Sequence, residues 1–412
     1  SEKRMKWGGT PERAVTTTCL LCPVGCYIEV DIKRDRIMNV QAAEGEGTTQ
    51  LCVKGRFTLP ALMQHHERLS RPMIRDGVLR AAGWEDAIRA AADLLRKYEG
   101  NEIGFVASPA MTNEGAYMLQ KVARALGCNN IGIASSMASS IAGAMHSDFT
   151  VGSMDDVAVA NVILLVGIDI RITTPVMAVS VYEAKKRGAD IMLVDNSNAE
   201  MPRYIDYHVS PASYSDFFEN VKAALSGLEN NDDAATAVAE HIRDRRMAIL
   251  FGPGIMNENG AETVATLSDI ASLCNGVLLP SWDGGNVQGL LELGCLPEKD
   301  GRNPLCDMTG LKALYLTQPI LDIPKNIEVV ILQDVYTSDM LKRADVVLPA
   351  ASFTEEAGTM LVLDGSLREL RPCTTPTGQS QRDWAILSKL GAALHLDGVD
   401  YTSVNAVTQD AQ

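Results

Sequence analysis

The spacing Cys19-x2-Cys22-x3-Cys26, followed after 25 intervening residues by Cys52, constrains this chain more than any other feature. Three thiols crowd one short loop and a fourth arrives from a distant segment, so four thiolates can converge on one centre from different directions. That is the geometry an iron–sulfur cubane requires. Pro23 and Gly25 lie inside the loop, where a tight wrap needs turn-forming backbone. Structural zinc also takes four cysteines, but it is commonly built from two separated C-x2-C-type pairs, and here the grouping is three plus one. One [4Fe-4S] cluster on Cys19, Cys22, Cys26 and Cys52 is the expectation, with a single zinc ion or metal-free thiols as the alternatives.

Cys52 stands in Leu51-Cys-Val-Lys-Gly-Arg-Phe57, so Lys54 and Arg56 bring positive charge beside a centre that is anionic with its thiolates. Such charge favours the reduced state. The alternative for Lys54 is a solvated surface lysine. The remaining five cysteines, Cys128, Cys274, Cys295, Cys306 and Cys373, have no regular spacing and an odd count, which is not a disulfide framework. They are read as small apolar residues in or near the core of a protein from a reducing, cytoplasmic compartment.

With 412 residues, 46% of them hydrophobic, the chain can bury a core of two to three domains. Its net charge of −15 disfavours nucleic acid, which is held by clustered Lys and Arg. The apolar run 157–168 is interrupted by Asn161 and is shorter than the ~20 residues that span a bilayer. No transmembrane segment is expected, so any membrane association would come through partner subunits. The first residues, Ser-Glu-Lys-Arg-Met-Lys, contain no apolar stretch of the signal-peptide kind.

Residues 1–60 read as a small β-rich lobe, because Cys26-Tyr-Ile-Glu-Val-Asp-Ile-Lys alternates at the period of a strand. Beyond it the pattern changes. Trp84, Ile88, Ala91, Leu95 and Tyr98 share one helical face, and short apolar strands at 103–107, 162–166, 191–194, 247–251, 313–316, 329–332 and 346–348 then alternate with helices at 114–126, 176–187, 213–225, 261–274 and 382–394. Such alternation predicts parallel sheets covered on both faces. The polar stretch 227–233 reads as a surface loop between two such units.

Further segments, in order, carry a resemblance: Glu67-Arg-Leu-Ser-Arg-Pro-Met-Ile-Arg75, Gly83-Trp-Glu-Asp-Ala-Ile88, Thr112-Asn-Glu114, Asn129-Asn-Ile131, Gly285-Asn-Val-Gln-Gly289, Gly294-Cys-Leu-Pro297, Ala344-Asp-Val-Val-Leu-Pro-Ala350, Phe353-Thr-Glu-Glu-Ala-Gly-Thr359, Asp364-Gly365 and Asp383-Trp384. Together with the cysteine motif, over about 370 residues, the chain resembles the molybdopterin oxidoreductase family, which includes formate dehydrogenases and the large iron–sulfur subunit of NADH:quinone oxidoreductase. The resemblance implies an α/β protein in which the iron–sulfur lobe precedes two interleaved Rossmann-like domains. These are placed at 61–130 plus 241–395 and at 131–240, with 396–412 as a tail and no C-terminal β-barrel domain. It also implies a pterin dinucleotide between the domains, with bis-pterin molybdenum or tungsten in active members.

Three departures count against an active metal. Formate dehydrogenases carry a ligating Cys or selenocysteine followed by His after the Asn-Asn-Ile segment, whereas residues 132–143 here contain neither. Ser136 and Ser139 are the substitute hydroxyls, harder and less easily ionised than a thiol, and a closely packed small-residue helix start is the preferred reading. The segment matching the family's Asn-His-Pro turn reads Ile172-Thr-Thr-Pro175, which removes a proton carrier. The sequence ends at Gln412, soon after Asp383-Trp384, where active members usually continue into a C-terminal β-barrel that covers the pterins, although in the formylmethanofuran dehydrogenases that barrel is a separate subunit. Lys54, Asp195 after strand 191–194, and Gly252 and Gly254 after strand 247–251 are the positions that could hold a pterin dinucleotide or its vestige. The leading expectation is an electron-transfer subunit with one [4Fe-4S] cluster and no active Mo/W site. Its setting is a multisubunit NAD(P)H-, ferredoxin- or quinone-linked oxidoreductase, where other iron–sulfur or flavin subunits are its partners. A catalytic Mo/W bis-pterin subunit and a structural scaffold are the alternatives.

Overall fold

The computed structural model describes residues 10–44, 50–141, 151–196, 203–257 and 259–411. The alternating run after Cys26 becomes the centre of a three-stranded antiparallel sheet in which β1 (Arg13–Thr18), β2 (Tyr27–Lys33) and β3 (Arg36–Ala42) lie side by side in that order. Arg34 and Asp35 link β2 to β3 with φ of 51° and 56°, the left-handed backbone that tight hairpin turns demand. Ile28, Val30, Ile32, Ile37 and Val40 are buried, but against Phe353, Met360, Val362 and Leu370 from the far end of the chain. The lobe therefore has no closed core of its own.

The hairpin β4 (Met73–Asp76) and β5 (Val78–Ala81), then β6 (Ile103–Ala107) and β7 (Ile131–Ile133), begin a seven-stranded sheet. A second sheet intervenes, with all its strands parallel: β8 (Val162–Val166), β9 (Asp190–Val194), β10 (Tyr207–Val209), β11 (Met247–Phe251) and β12 (Val277–Pro280), in the order β10-β9-β8-β11-β12. The chain then returns through β13 (Ala313–Leu316), β14 (Val329–Asp334) and β15 (Val346–Pro349), giving the order β5-β4-β15-β14-β13-β6-β7. Residues of β6, β8, β11, β14 and β15 are buried along the whole strand, as expected where helices cover both faces. A last hairpin, β16 (Gly358–Leu361) with β17 (Leu367–Leu370), stands apart from both sheets. Each of the four sheets among the described residues is open.

Four expectations need correction. The return to the first domain, placed at residue 241, comes later: β11 pairs residue for residue with β8, and β12 with β11, so the second sheet runs to Pro280. A fully apolar strand such as 247–251 reads alike in either sheet, and only its partner decides. The tail 396–412 carries a helix, Val404–Ala411, whose Asp410 takes hydrogen bonds from Lys121 and Tyr117 on the helix Asn113–Ala125. The polar stretch 227–233 is a loop only to Asp232, whose carboxylate accepts the Ala235 N–H at 3.0 Å and starts the helix Asp233–Ile242. Four of the five scattered cysteines are buried, but Cys306 is exposed.

Candidate functional site

The three-thiol loop is fixed by its own backbone and by the late hairpin. The Cys19 N–H donates to the Cys26 carbonyl at 2.9 Å and Gly25 N–H to that of Cys22 at 3.4 Å. Gly25 has φ of +58°, and a Cβ there would stand 2.1 Å from Val362 Cγ1. Only glycine fits beneath the turn between β16 and β17, where Leu363 N–H donates to the Pro23 carbonyl at 2.8 Å. Cys52 begins a helical turn, Arg56 N–H donating to its carbonyl at 3.0 Å, and that turn leads through Lys54–Thr58 into the helix Leu59–Met63. A Cβ on Gly55 would lie 3.7 Å from the Cys19 sulfur, so the second segment passes directly over the loop.

Electrostatics brings all four thiols into one group. Burial, then the charge Cys22 would carry, pushes the Cys19 thiol well up, with Cys26 and Cys52 adding to the rise and the Leu21 N–H opposing it. The Cys22 thiol is pushed up to about 11, by burial first, while the Val24 N–H and the Lys54 ammonium favour its thiolate. Two buried thiols that resist ionising, each with a backbone N–H turned toward its sulfur and with two further soft donors beside them, suit a centre whose own positive charge releases the protons. No group of three or more His, Cys, Asp or Glu side chains among the described residues is closed around a position for a metal ion, so the fit rests on this donor set and its backbone cradle.

Lys54 leaves the lobe: its Nζ donates to the Ile172 carbonyl at 2.6 Å, at the start of the segment that stands where the family has its Asn-His-Pro turn. Thr174 in that segment is buried, and its hydroxyl pairs with Ser281 at 2.9 Å after β12. Gly252 and Gly254 pack against the turn after β8. The Gly254 N–H donates to the Gly167 carbonyl at 2.9 Å, and a Cβ on Gly254 would come within 2.6 Å of that oxygen, so the turns after β8 and β11 interlock backbone to backbone. Asp195, at the end of β9, accepts from the Tyr214 hydroxyl at 3.3 Å.

Ser136 opens the short helix Ser136–Ile141, and its N–H and hydroxyl both donate to one oxygen of Asp283, at 2.8 and 2.7 Å. Ser135 donates to the other oxygen. A carboxylate thus caps the helix start and accepts a hydrogen bond from the hydroxyl, whose proton a metal would have to displace. The side chain of Ser139 lies outside the described residues. Asp283, in Trp282-Asp-Gly-Gly285 after β12, is not among the residues expected from sequence; its position at the carboxyl end of a parallel strand is the one signal that could have found it.

A cavity of about 250 Å³ opens where the lobe meets the carboxyl ends of the first sheet's strands. Leu21 from the lobe and Leu59 and Met63 from the helix that follows it line the cavity, with Ser108 and Thr317 just past β6 and β13 and Asp334 at the end of β14. Crevices at such strand ends are where open α/β sheets bind ligands. Two carboxyl groups face it. Burial raises Asp334 to about 6, against the pull of the Val335 and Tyr336 N–H groups. Burial raises Asp383 to about 7, with the Gln333 amide opposing at 2.6 Å and the Asp334 charge adding. Behind it Glu356, held well above the usual carboxylate range by burial and then by Asp383, accepts the Asp383 N–H at 2.8 Å and leaves its second oxygen buried without a hydrogen bond.

Residues 12–62 match the molybdopterin oxidoreductase Fe4S4 domain and residues 68–393 match molybdopterin oxidoreductase. The chain belongs to the molybdopterin oxidoreductase family. Members similar to it are formate dehydrogenase-like. The F420-dependent formate dehydrogenase subunit alpha of Methanocaldococcus jannaschii is 24% identical over 96% of this chain and 72% of its own length. The NADPH-Fe(3+) oxidoreductase subunit alpha of Geobacter sulfurreducens is 25% identical over 94% of this chain, which spans only 57% of that relative. Among solved structures, acetylene hydratase from Pelobacter acetylenicus superposes with a TM-score of 0.71 at 12% identity, covering 93% of this chain and 70% of the hydratase. A chain of the formyltransferase/hydrolase complex of Methylorubrum extorquens gives 0.60 at 14% identity, covering 79% of this chain and 98% of its own. Both establish the molybdopterin oxidoreductase fold alone. No helix among the described residues is long and apolar enough to cross a membrane.

Proposed function

We propose that this chain is an electron-transfer subunit of a multisubunit oxidoreductase, with one [4Fe-4S] cluster on Cys19, Cys22, Cys26 and Cys52 and without an active molybdenum or tungsten site. The cluster supplies one-electron transfer when bound. The chain's own residues hold it: the Cys19–Cys26 loop under the β16–β17 turn, and Cys52 on the segment packed over it. The observation that carries the second half of the reading is Asp283, whose carboxylate stands on the helix start where active relatives place a metal ligand and engages the hydroxyl of Ser136. A negative carboxylate beside that hydroxyl opposes ionisation of the serine, because it would face an alkoxide of like charge. Relatives named as the alpha subunits of an F420-dependent formate dehydrogenase and of an NADPH-Fe(3+) oxidoreductase support a multisubunit setting; that the partners are NAD(P)H-, ferredoxin- or quinone-linked and carry flavin or iron–sulfur centres is part of the proposal.

The test is metal and sulfide analysis of the protein purified with its partners, together with an assay of formate against an artificial acceptor. Iron and sulfide at about four each per chain are expected, with neither molybdenum nor tungsten and no formate turnover. Turnover that requires either metal and is lost in Ser136→Ala or Ser139→Ala would reverse the assignment. One observation favours a second reading in which a pterin dinucleotide is retained without turnover: the cavity at the strand ends keeps polar groups, Ser108, Thr317, Asp334 and Asp383, facing a common space.

Lys54 provides a separate check. Reduction adds one electron to an anionic centre, and the ammonium that favours the Cys22 thiolate compensates it. A unit charge ~8 Å away through an effective dielectric of ~20 is worth about 2 kcal/mol before screening. Lys54→Met keeps length and deletes charge, so the midpoint of the reduced cluster's EPR signal should fall by several tens of millivolts, where about 59 mV is a tenfold change for one electron. An unchanged midpoint would assign Lys54 to the contact with Ile172 alone.

A further inference from the structure

The cavity at the strand ends has the cysteine loop on one side and carboxyl groups on the other. Leu21, between Cys19 and Cys22 in the chain, lines it from the lobe, and Asp334 and Asp383 line it from the sheet side. Behind that wall acidic groups outnumber basic ones. Asp334, Asp383, Glu114, Glu355 and Glu356 are all buried. Two guanidiniums lie among them, but Arg68 is taken by Glu355 at 2.7 Å, and Arg382 donates its Nε to the Glu355 carbonyl at 3.3 Å. No cation among the described residues stands beside Asp334 or Asp383. Glu114 accepts from neutral donors, the Thr359 N–H and the hydroxyls of Thr359 and Thr408. Buried carboxyls so arranged cannot all ionise, so the wall stores protons.

We infer that this cavity is a proton-uptake site coupled to the cluster: as one electron reaches the cluster from a partner's iron–sulfur or flavin centre, one proton passes from solvent to a carboxylate of Asp334 or Asp383. The cluster gains one negative charge, one carboxylate becomes a carboxylic acid, and the net charge around the cavity is unchanged. The step rests on the cluster reading above. Its cause is repulsion across the cavity, since negative charge added behind Leu21 disfavours a carboxylate opposite. The pair is poised for that. Burial pushes Asp334 up to about 6 and Asp383 up to about 7, and the Asp334 charge adds to the rise of Asp383, so a proton gained at one is felt at the other. Tyr315 and Tyr336, the phenols near these carboxyls, are themselves pushed up by burial and stay neutral. Ser108, Thr317 and Gln318 line the same space of about 250 Å³, which gives water the room and the polar partners to carry the proton inward.

The test is an anaerobic redox titration of the reduced cluster's EPR signal in the full chain, repeated from about pH 6 to about pH 9. Where the carboxyl is protonated in both oxidation states, or ionised in both, the midpoint is constant; between those limits it falls as pH rises. A tenfold tighter hold on the proton in the reduced state is expected, a total fall of about 59 mV for one electron. Asp383→Asn should remove most of the fall. The double variant, Asp334→Asn with Asp383→Asn, should remove all of it and keep the midpoint at the wild type's acid-side value, because an amide is neutral at every pH. Redox-difference infrared spectroscopy needs no variant: on reduction the wild type should lose a carboxylate band and gain a protonated-carboxyl band. A wild-type midpoint that ignores pH, a fall that survives in the double variant, or reduction without the protonated-carboxyl band would each overturn the inference. Protein without iron would overturn it together with the cluster reading, whereas full iron with a flat midpoint would overturn it alone.

Discussion

Cys52→Ala should lose the cluster and loosen two regions of the fold at once, the N-terminal lobe and the hairpin Gly358–Leu370. Of the four thiols Cys52 is the one that is not buried, so truncating it removes little packing, and a substitution at such a position changes stability by only about 0.5 kcal/mol on its own account. Any larger effect reports the lost centre, because binding of a metal centre and folding of its ligand segments are one equilibrium. The lobe buries Ile28, Val30 and Ile32 against Met360, Val362 and Leu370, and the Thr18 hydroxyl donates to the Glu369 carbonyl at 2.7 Å. Loosening must therefore cross from one to the other. Iron and sulfide should fall from about four to near zero per chain. Amide hydrogen exchange should accelerate in residues 10–44 and 358–370 while β8 and β11 keep their protection. Cys306→Ala, at an exposed cysteine far along the chain, is the control and should change neither. Full iron content in Cys52→Ala would remove that residue from the ligand set.

How much of this is legible in sequence follows from the range of each interaction. The strands at 103–107, 162–166 and 247–251 are legible because each is a short apolar run bounded by turns, which in a parallel sheet is a local signal. Their assignment to one sheet or the other is not, since β11 finds β8 across about 80 residues of chain and nothing within 247–251 names its partner. The cysteine motif and the family landmarks identify the cluster lobe, but they do not reveal the hairpin that clamps it. Its residues alternate only weakly in burial, and its contacts with Pro23 and Thr18 come from the opposite end of the sequence. Ser136 is legible as a helix start, whereas the carboxylate that caps it lies 147 residues away. The glycines after 247–251 resemble a phosphate cradle because the same residue type serves a ligand and a close backbone crossing; the interlock with Gly167 shows the crossing.

Asp383 should give the protein a pH dependence that one substitution removes. Its carboxyl is buried in the cavity wall, accepting from the Gln333 amide, and is pushed up to about 7 in the folded chain, against an ordinary value of 3.8. The folded state thus holds a proton that the unfolded state has released. Below about pH 4 both states are protonated and this site's contribution is fully present; it is lost as pH rises toward 7, after which both states are ionised and the loss is constant. A shift of about three units corresponds to about 4 kcal/mol, and Glu356, raised in the same direction by burial and by Asp383, shares it. Asp383→Asn keeps an oxygen to accept from Gln333 and cannot ionise. Relative to wild type its unfolding free energy should therefore gain about 3 kcal/mol between pH 5 and pH 8, read from urea midpoints at each pH. Glu356→Gln should act in the same direction, and the double variant should gain less than the sum, because the Asp383 charge acts on Glu356 and the Glu356 carboxyl also accepts the Asp383 backbone N–H. Parallel pH profiles for wild type and Asp383→Asn would mean that Asp383 is ionised when folded, with its charge compensated from the cavity. The same pair of measurements, repeated with the protein as purified from its complex, would then report whether a bound group supplies that compensation.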